Sequence, residues 1–433
     1  MWIPAWRLCP LITDLLHSLL GHVHRHTLGA VADLIWALLL SQSLHPADLA
    51  RALPNLQTSR ARQAMRRVRR LVGRAVLRSR FLTPVLIEGA LSLVPAREVT
   101  LVLDSTRCGR WELFTLGVVF EGRVLPVAWE VLPYPWPTGR FTPTTLTLLE
   151  RTFRHWPLTR PVHLLADRGF PSLPFFRCLE RLRATWALGY TIRVRASDFV
   201  RLADDRAYKV GDLEQELPRG QWTIQPASYL KRGRGGPPAW LIIGRGIPAY
   251  PAHQQGPADQ ARRARRAARR QAHVRSKGQP QAPRTDPAWA LLSVEPTAAA
   301  AVARYAVRFH TEPTYRDLKS WDLAAVVERQ GAADAVDSLM GLAVLAYFVH
   351  VAIGAAAGRA EDPSVRARQQ QWCTTDRLSV FWRGRQVLQD RAFDWIPWLT
   401  TVLPTVTSPL ASPPTPSAQA MPPPYPISTQ EAA

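Results

Sequence analysis

Four residues that could bind phosphate or metal recur at helical spacing in the segment RYAVRFHTEPTYRDLK, residues 304–319. They are Tyr305, Arg308, Glu312 and Lys319. At about 100° of rotation per residue, these side chains would share roughly 60° of one helix face. A carboxylate there could bind a metal ion, and the other groups could contact phosphate. The alternative is a solvated face with ion pairs between turns, but lysine is rare in this arginine-rich chain, so a lysine at this spacing favours a functional face.

Two aspartates follow short apolar stretches that have the character of strands. Asp104 ends the apolar run in REVTLVLDST (97–106), and Asp167 ends the one in RPVHLLADRGF (160–170). If these strands are neighbours, the two carboxylates converge, and Glu312 on a helix beside the sheet could supply a third. Converging carboxylates repel one another unless a cation lies between them. Oxygen ligands suit Mg²⁺ or Mn²⁺, and two such ions about 4 Å apart can promote phosphodiester displacement.

The elements that must position these residues follow a mixed α/β order. Residues 1–95 have helical patterns. After residue 97 come three strands in a meander, a helix, a strand, a helix and a strand that ends near residue 195. Later in the chain a strand at 289–294 and a long buried helix at 335–358 follow.

Residues 197–288 interrupt this order with a composition rich in Gly, Pro, Gln and Arg. Two strand-like pieces, 221–225 and 239–244, predict a β insertion that also carries an irregular basic lobe. The Pro- and Ser-rich residues 401–433 are predicted to be disordered.

The charge balance favours a polyanionic partner. The formal net charge is +22 and the sequence pI is about 11.0, which makes nucleic acid the leading candidate. The pattern over residues 59–81 predicts one amphipathic helix without acidic residues. Its arginines at every fourth position are Arg62, Arg66, Arg70, Arg74 and Arg78. We expect Arg66, Arg70 and Arg74 to neutralise DNA phosphates; the alternative is a solvated face.

Cysteine usage and hydropathy indicate the cellular compartment of the protein. The four cysteines are scattered without C-x-x-C spacing, as is typical of reduced thiols in a cytosolic protein. The apolar run at 28–40 is too short to span a bilayer and contains Asp33. We therefore expect a cytoplasmic protein that associates with the nucleoid through DNA and has no membrane partner.

The two segments that contain Asp104 and Asp167, together with the 304–319 segment, resemble those of a known family. LVLDST, LLADRGF and the Y-x2-R-x3-E-x6-K spacing of residues 305–319 are similar to the DDE transposases of bacterial insertion sequences, family-4 type. The resemblance covers roughly residues 97–350. It implies an α/β fold with a ribonuclease-H-like mixed sheet, a β insertion between the second aspartate and the glutamate, and a helical region before the sheet.

The resemblance also implies the metal ligands and the reaction. Asp104, Asp167 and Glu312 would be the catalytic residues and would bind two Mg²⁺ ions, with Mn²⁺ as a possible substitute. The enzyme would cut double-stranded DNA at the terminal inverted repeats of its element and join the freed 3′ ends to target DNA. A homodimer in a synaptic complex would carry out this cut-and-paste transposition.

Further residues would contact the DNA. Tyr305, Arg308 and Lys319 would hold the phosphate backbone beside the scissile bond, and Arg168 would be an additional contact. Trp289, with Trp240 as the second candidate, would stack on an unpaired base; a core position for Trp289 is the open alternative.

Two features depart from the family pattern. Pro313 directly follows Glu312, which predicts either a helix that begins near Thr311 or a kink at the catalytic position. The run FHTE at 309–312 replaces an aromatic-x-Ile-Glu run and removes an apolar residue beside the acid.

The sequence thus predicts a transposase with four regions. These are a helical DNA-binding region at 1–95, a catalytic core at 96–196 and 289–400, a basic β-rich insertion at 197–288 and a tail at 401–433. One alternative is a catalytically decayed or co-opted DNA-binding protein. Another is a stand-alone ribonuclease-H-like nuclease, which would leave the arginine-rich helix unexplained.

Overall fold

Ten strands form one mixed sheet in the computed structural model, which describes residues 23–53, 61–218, 221–244, 289–372 and 378–390 and a few isolated positions near either end. The strands are β1 Val99–Cys108, β2 Trp111–Phe120, β3 Arg123–Pro133, β4 Val162–Ala166, β5 Leu188–Arg193, β6 Phe199–Leu202, β7 Ala207–Lys209, β8 Trp222–Lys231, β9 Arg234–Gly244 and β10 Trp289–Ser293. Their spatial order is β3-β2-β1-β4-β5-β10-β9-β8-β6-β7. The predicted α/β class, with a mixed and partly parallel open sheet, is confirmed.

The first five strands bring the two predicted aspartates to one level of the sheet. β1, β2 and β3 form an antiparallel meander, while β1, β4 and β5 run parallel. Leu103 of β1 lies opposite Ala166 of β4. The next residue along each strand is an aspartate, Asp104 after Leu103 and Asp167 after Ala166, so the two aspartates are neighbours. All of β4 is buried, as expected for a parallel strand that is covered on both faces.

Helices cover the sheet and precede it. They are α1 Arg25–Ser41, α2 Pro46–Ala52, α3 Ala61–Val72, α4 Ser79–Leu93, α5 Phe141–Arg154, α6 Leu173–Thr185, α7 Val210–Glu216, α8 Ala298–Ala306, α9 Thr311–Lys319, α10 Leu323–Glu328, α11 Ala333–Arg359, α12 Pro363–Trp372 and α13 Val380–Gln389. A continuous hydrophobic core joins the helices that precede the sheet to the sheet and to α11.

The segment predicted as a β insertion extends the same sheet. β9 pairs with β10, and the other neighbour of β10 is β5. KRGRGGPP (231–238), expected to be irregular, instead forms the tight β8–β9 turn and the start of β9. Arg232 and Gly233 have φ values of 51° and 75°, the left-handed pair that a two-residue hairpin requires. The predicted basic lobe at 245–288 and the predicted tail from 402 onward lie outside the described residues.

Helix α11 is a core helix. By length and composition it could cross a bilayer, and within the described residues it is the one unbroken helix of that kind, but its most apolar stretch is entirely buried in the protein. Gly354 lets α13 approach closely, since a β-carbon there would lie 1.8 Å from the Val380 carbonyl oxygen.

The arginine-rich segment is not one helix, so the prediction for 59–81 is wrong in extent. α3 ends at Val72, a short 3₁₀ turn spans Ala75–Leu77, and α4 begins at Ser79. Gly73 disfavours continuation of the helix, and an ion pair of 2.8 Å ties Arg78 to Asp334 at the start of α11. Arg74 therefore lies beyond the helix and donates to the Thr27 hydroxyl at 2.9 Å.

The exposed arginines of α3 are consequently a smaller set than the sequence predicted. Arg66 and Arg70 are exposed on the outer face, together with Arg62 one turn earlier. Arg67 instead pairs with Asp33 at 3.1 Å. The buried side of the helix consists of Ala64, Val68 and Leu71. A basic outer face is thus present over about three turns.

His350 of α11 should make the protein sensitive to mild acid. Burial lowers its pKa from 6.5 to about 3, so the folded protein keeps the ring neutral where the unfolded chain protonates it. The unfolded state therefore binds more protons between these values, and stability should fall as the pH drops below 6.5. Urea unfolding at pH 7 and pH 5 should show that His350→Met removes about 2 kcal/mol of the acid-induced loss. An unchanged difference between the two pH values would contradict a neutral, buried His350.

Candidate active site

Asp104 of β1 and Asp167, which directly follows β4, lie side by side because β1 and β4 are adjacent parallel strands. Asp104 is inside β1, not beyond its end as the sequence suggested, and lies opposite Thr115 of β2. Asp167 follows the last residue of β4, as predicted. Because paired strands are about 4.8 Å apart, the register of β1 and β4 brings these two carboxyl groups into one neighbourhood.

The Asp104 carboxylate is largely buried and fully engaged. Its Oδ2 accepts from the Arg308 guanidinium at 3.1 Å and from the Thr311 hydroxyl at 2.7 Å. Its Oδ1 accepts from the Ser105 amide at 2.9 Å. Burial raises the pKa of Asp104, and the Asp167 carboxylate adds to that rise, while Arg308 and Thr311 oppose it. The Arg308 guanidinium therefore favours the ionised form of Asp104, against the effect of burial.

Asp167 is the more open of the two aspartates. Its side chain is 31% exposed and accepts from the Tyr305 hydroxyl at 3.3 Å. A guanidinium nitrogen of Arg193 lies 4.0 Å from the same carboxylate oxygen. This carboxylate is thus held from one side and open to solvent on another, as a ligand-binding group would be.

Arg308 is the buried cation of the site. Its side chain is 8% exposed and lies over the Phe309 ring at 4.8 Å. Burial alone would lower its pKa, but the neighbouring Tyr305 hydroxyl and three carboxylates raise the pKa overall. The three carboxylates are Asp104, Asp167 and Glu312. Arg308 therefore stays charged and couples electrostatically to every acid that the sequence proposed.

The 304–319 segment does not form the single helix from which one shared face was calculated, and that prediction is wrong. α8 ends at Ala306, a 3₁₀ turn spans Val307–His310, and α9 begins at Thr311. Pro313 explains the break, since it has no amide proton to donate within a continuous helix but is accepted in a first turn. Of the two alternatives that Pro313 left open, the structure has the new helix start.

Glu312 directly follows Thr311, whose hydroxyl contacts Asp104. It lies in the first turn of α9 with an exposed side chain. Among the described residues, no group of three or more His, Cys, Asp or Glu side chains is arranged to hold one metal ion. The other acids near Glu312 in sequence are held elsewhere: Asp317 pairs with Arg123 at 2.7 Å, and Asp322 accepts from Ser43 at 3.3 Å.

The remaining residues of the spacing pattern converge on β1 and β4 in spite of the break. Tyr305 contacts Asp167, and Arg308 contacts Asp104. Lys319 donates to the Thr106 hydroxyl of β1 at 2.7 Å. Because Thr106 is two residues beyond Asp104, both side chains are on the same face of the strand.

Two predicted DNA contacts differ in their surroundings. The Arg168 side chain is exposed next to Asp167, and its carbonyl accepts from Arg195 at 2.7 Å. Trp289 is only 4% exposed and packs edge-on against Tyr305 with ring centroids 5.2 Å apart. Of the two alternatives for Trp289, the structure favours the core position, in which it supports Tyr305.

Thr311 is a site residue that the sequence reading undervalued. The change from an apolar residue to threonine in FHTE was expected to remove an anchor beside the acid. Thr311 is instead 2% exposed, and its hydroxyl donates to Asp104. The signal that could have identified it is a polar side chain, Thr311, at a position where an apolar residue was expected.

The comparisons with known proteins give no independent identification. No protein-family model matches the chain, and none of the curated proteins matches it.

Proposed function

We propose that this protein is a DDE-type transposase, which cleaves DNA at the ends of its insertion sequence and joins them to a target in a metal-dependent reaction. The observation that carries the proposal is the pairing of Asp104 with Arg308 and of Asp167 with Tyr305, at the point where the parallel pairing of β1 with β4 ends. The two aspartates and the 304–319 segment, which are far apart in the sequence, thus contact one another in the fold.

The strand arrangement supports a ribonuclease-H-like core. A three-stranded antiparallel meander is followed by a helix, a parallel strand, a helix and a second parallel strand, in the order β3-β2-β1-β4-β5. The sequence pattern predicted the same succession of elements along the chain, and the family resemblance implies a ribonuclease-H-like mixed sheet. Strands β6 to β9 fall between Asp167 and Glu312, where the family has its insertion.

The residues present fit a divalent cation in donor type. Asp104 and Asp167 offer only carboxylate oxygens, which suit Mg²⁺ and Mn²⁺. Asp104 already binds a guanidinium, so positive charge stabilises this position. Asp104 and Asp167 would hold the cations, and Glu312 would carry the third carboxylate of the set. When bound, two such ions would activate an attacking hydroxyl and stabilise the leaving oxygen of a phosphodiester.

The chain's own cations would position the DNA. Lys319 is a half-buried cation beside Asp104 and would contact phosphate oxygens next to the scissile bond, whereas the buried Arg308 would orient the Asp104 carboxylate. Tyr305 would hold Asp167 in place through its hydroxyl. Double-stranded DNA is the proposed partner, and a homodimer would align two element ends.

The test is incubation of the purified protein with a DNA fragment that carries one end of the element. The fragment is chosen from inverted repeats that flank the gene. Retarded migration without metal and nicking with Mg²⁺ or Mn²⁺ would support the proposal. Binding without nicking would instead support the second candidate, a decayed transposase that only binds DNA.

The exposed arginines of α3 should supply part of the DNA affinity. Replacing Arg62, Arg66 and Arg70 by glutamine should weaken binding to the end fragment and reduce the salt dependence by about one unit of slope per lost phosphate contact. The readout is the dissociation constant at several salt concentrations.

A matched control removes the same charge from another helix. Arg177, Arg181 and Arg183 of α6 are exposed, and their replacement by glutamine should leave the slope close to that of the unchanged protein. Equal losses in both triple variants would show that only net charge matters and would contradict a DNA-binding face on α3.

A further inference from the structure

The chain that follows β5 runs beside the turn that contains Asp167. Strands β4 and β5 are parallel neighbours with Ala166 opposite Ile192, so the residues that follow the two strands leave the sheet at the same edge. The Arg193 guanidinium at the end of β5 lies 4.0 Å from the Asp167 carboxylate. The side chain of Arg195, two residues further on, contacts the backbone of the same turn.

One guanidinium group binds two successive carbonyls of this turn. Arg195 donates from its Nε to the Arg168 carbonyl at 2.7 Å and from its Nη2 to the Gly169 carbonyl at 3.4 Å. Within the turn, the Phe170 amide donates to the Asp167 carbonyl at 3.1 Å. Because the guanidinium is a planar fork with fixed geometry, its two hydrogen bonds orient the peptide groups that come directly after Asp167.

The Asp167 carboxylate depends on this backbone for its position. Its contacts through the side chain are long, at 3.3 Å from the Tyr305 hydroxyl and 4.0 Å from the Arg193 guanidinium. Asp104, in contrast, lies inside a strand and accepts three hydrogen bonds of 3.1 Å or less. The turn therefore sets where the more open carboxylate of the pair lies.

Arg195 is itself anchored to the inserted strands. Its amide donates to the Asp198 carboxylate at 2.9 Å, and the same carboxylate accepts from the Tyr229 hydroxyl of β8 at 3.4 Å. Asp198 and Tyr229 are both buried, and the Tyr229 ring packs on Phe176 of α6 with centroids 5.0 Å apart. The backbone that carries the Arg195 side chain is thus fixed to β8 and, through β8, to α6.

We propose that Arg195 is a positioning residue for metal binding, which holds the turn so that the Asp167 carboxylate can share a divalent cation with Asp104. This inference rests on the proposed function, because it takes Asp167 as a metal ligand. It also gives the insertion a part in metal binding, since β8 and Asp198 fix the position of Arg195.

The experiment measures Mn²⁺ binding directly, so that it does not depend on DNA cleavage. Free Mn²⁺ gives an electron paramagnetic resonance signal that is largely lost on binding, and titration yields a dissociation constant. Arg195→Gln should weaken the binding that depends on Asp167 by about 10-fold, as expected when a group that orients a ligand is removed. Arg195→Lys should be intermediate, because it keeps the charge but lacks the planar fork.

Nicking and DNA binding distinguish positioning from contact with phosphate. In Arg195→Gln, the Mg²⁺ concentration for half-maximal nicking should rise by a similar factor. The nicking rate at saturating Mg²⁺ and the binding of the end fragment in EDTA should stay unchanged. Because Arg195 is exposed, the variant should remain folded. Weaker DNA binding in EDTA with unaltered Mn²⁺ affinity would show a phosphate contact and would contradict the positioning role.

Arg201 provides a matched control. This arginine of β6 also donates to a turn carbonyl, that of Gly233 at 3.3 Å, but the β8–β9 turn contains no proposed ligand. Arg201→Gln should bind Mn²⁺ as the unchanged protein does. Equal Mn²⁺ affinities of Arg195→Gln and Arg201→Gln would overturn this inference alone. If Asp167→Asn binds Mn²⁺ as tightly as the unchanged protein, the proposed function and this inference fail together.

Discussion

Replacing Asp104 or Asp167 by asparagine should reduce DNA strand cleavage by about a thousandfold or more, while binding to the element end persists without metal. Asparagine keeps the size of the side chain but removes the charge that holds the cation, so nucleophile activation and leaving-group stabilisation are lost together. The measurement is the nicking rate with Mg²⁺ or Mn²⁺ beside a gel-shift assay on the same fragment.

Asp322→Asn is the matched control for this prediction. Asp322 is an exposed acid near Glu312 in sequence, and it has a φ of 60°, which asparagine also adopts readily. This variant should fold and cleave like the unchanged protein. If the Asp104 and Asp167 variants cleave as fast as Asp322→Asn, the two aspartates are not the catalytic pair.

The variant Glu312→Gln tests whether Glu312 is the third metal ligand beside Asp104 and Asp167. Since Glu312 is exposed, the change should leave stability unaltered. If Glu312 is the third ligand, cleavage should be lost as it is in the aspartate variants. Full cleavage by Glu312→Gln beside inactive aspartate variants would show that its assignment is wrong.

Replacing Arg308 by methionine should lower the free energy of unfolding by about 3–5 kcal/mol at pH 7, because it leaves the buried Asp104 carboxylate without its cation. The loss should shrink at lower pH, where Asp104 becomes protonated and no longer requires a positive partner. Urea unfolding of the two proteins at several pH values provides the measurement.

A second substitution identifies the cause of that loss. The double variant Arg308→Met with Asp104→Asn should recover much of the stability, because it removes the unpaired charge. Arg304→Met breaks two more exposed ion pairs, with Glu98 and Glu295, which at about 1 kcal/mol or less each should cost less than the loss of Arg308. A double variant no more stable than Arg308→Met would show that charge burial at Asp104 is not the reason.

The sheet that carries the aspartates could be predicted because its signal is local. Short apolar runs ending in an acid, at Asp104 and Asp167, are visible in a few adjacent residues. The start of a new helix near Thr311 was one of the two outcomes that Pro313 predicted, since proline has no amide proton to donate inside a continuous helix. The pairing of Arg308 with Asp104 was not, because the two residues are 204 positions apart and only the folded sheet brings them together.

The errors in the sequence reading share a physical cause. Periodicity in the arginine-rich segment continued through Arg74 and Arg78, but tertiary contacts to Thr27 and Asp334 ended the helix earlier. For Trp289 the sequence left an exposed and a core position open, and the place of β10 within the sheet favours the core position. In each case, packing against a distant element decided the outcome.

The most direct test of the account is whether a divalent cation binds at Asp104 and Asp167. Fe²⁺ can take the place of Mg²⁺ among oxygen ligands, and with ascorbate and peroxide it cuts the protein backbone close to where it is bound. We predict fragments that end near residues 104 and 167, suppressed by excess Mg²⁺ and absent in Asp104→Asn. Absence of these fragments from the unchanged protein, or their persistence in Asp104→Asn, would contradict the assignment.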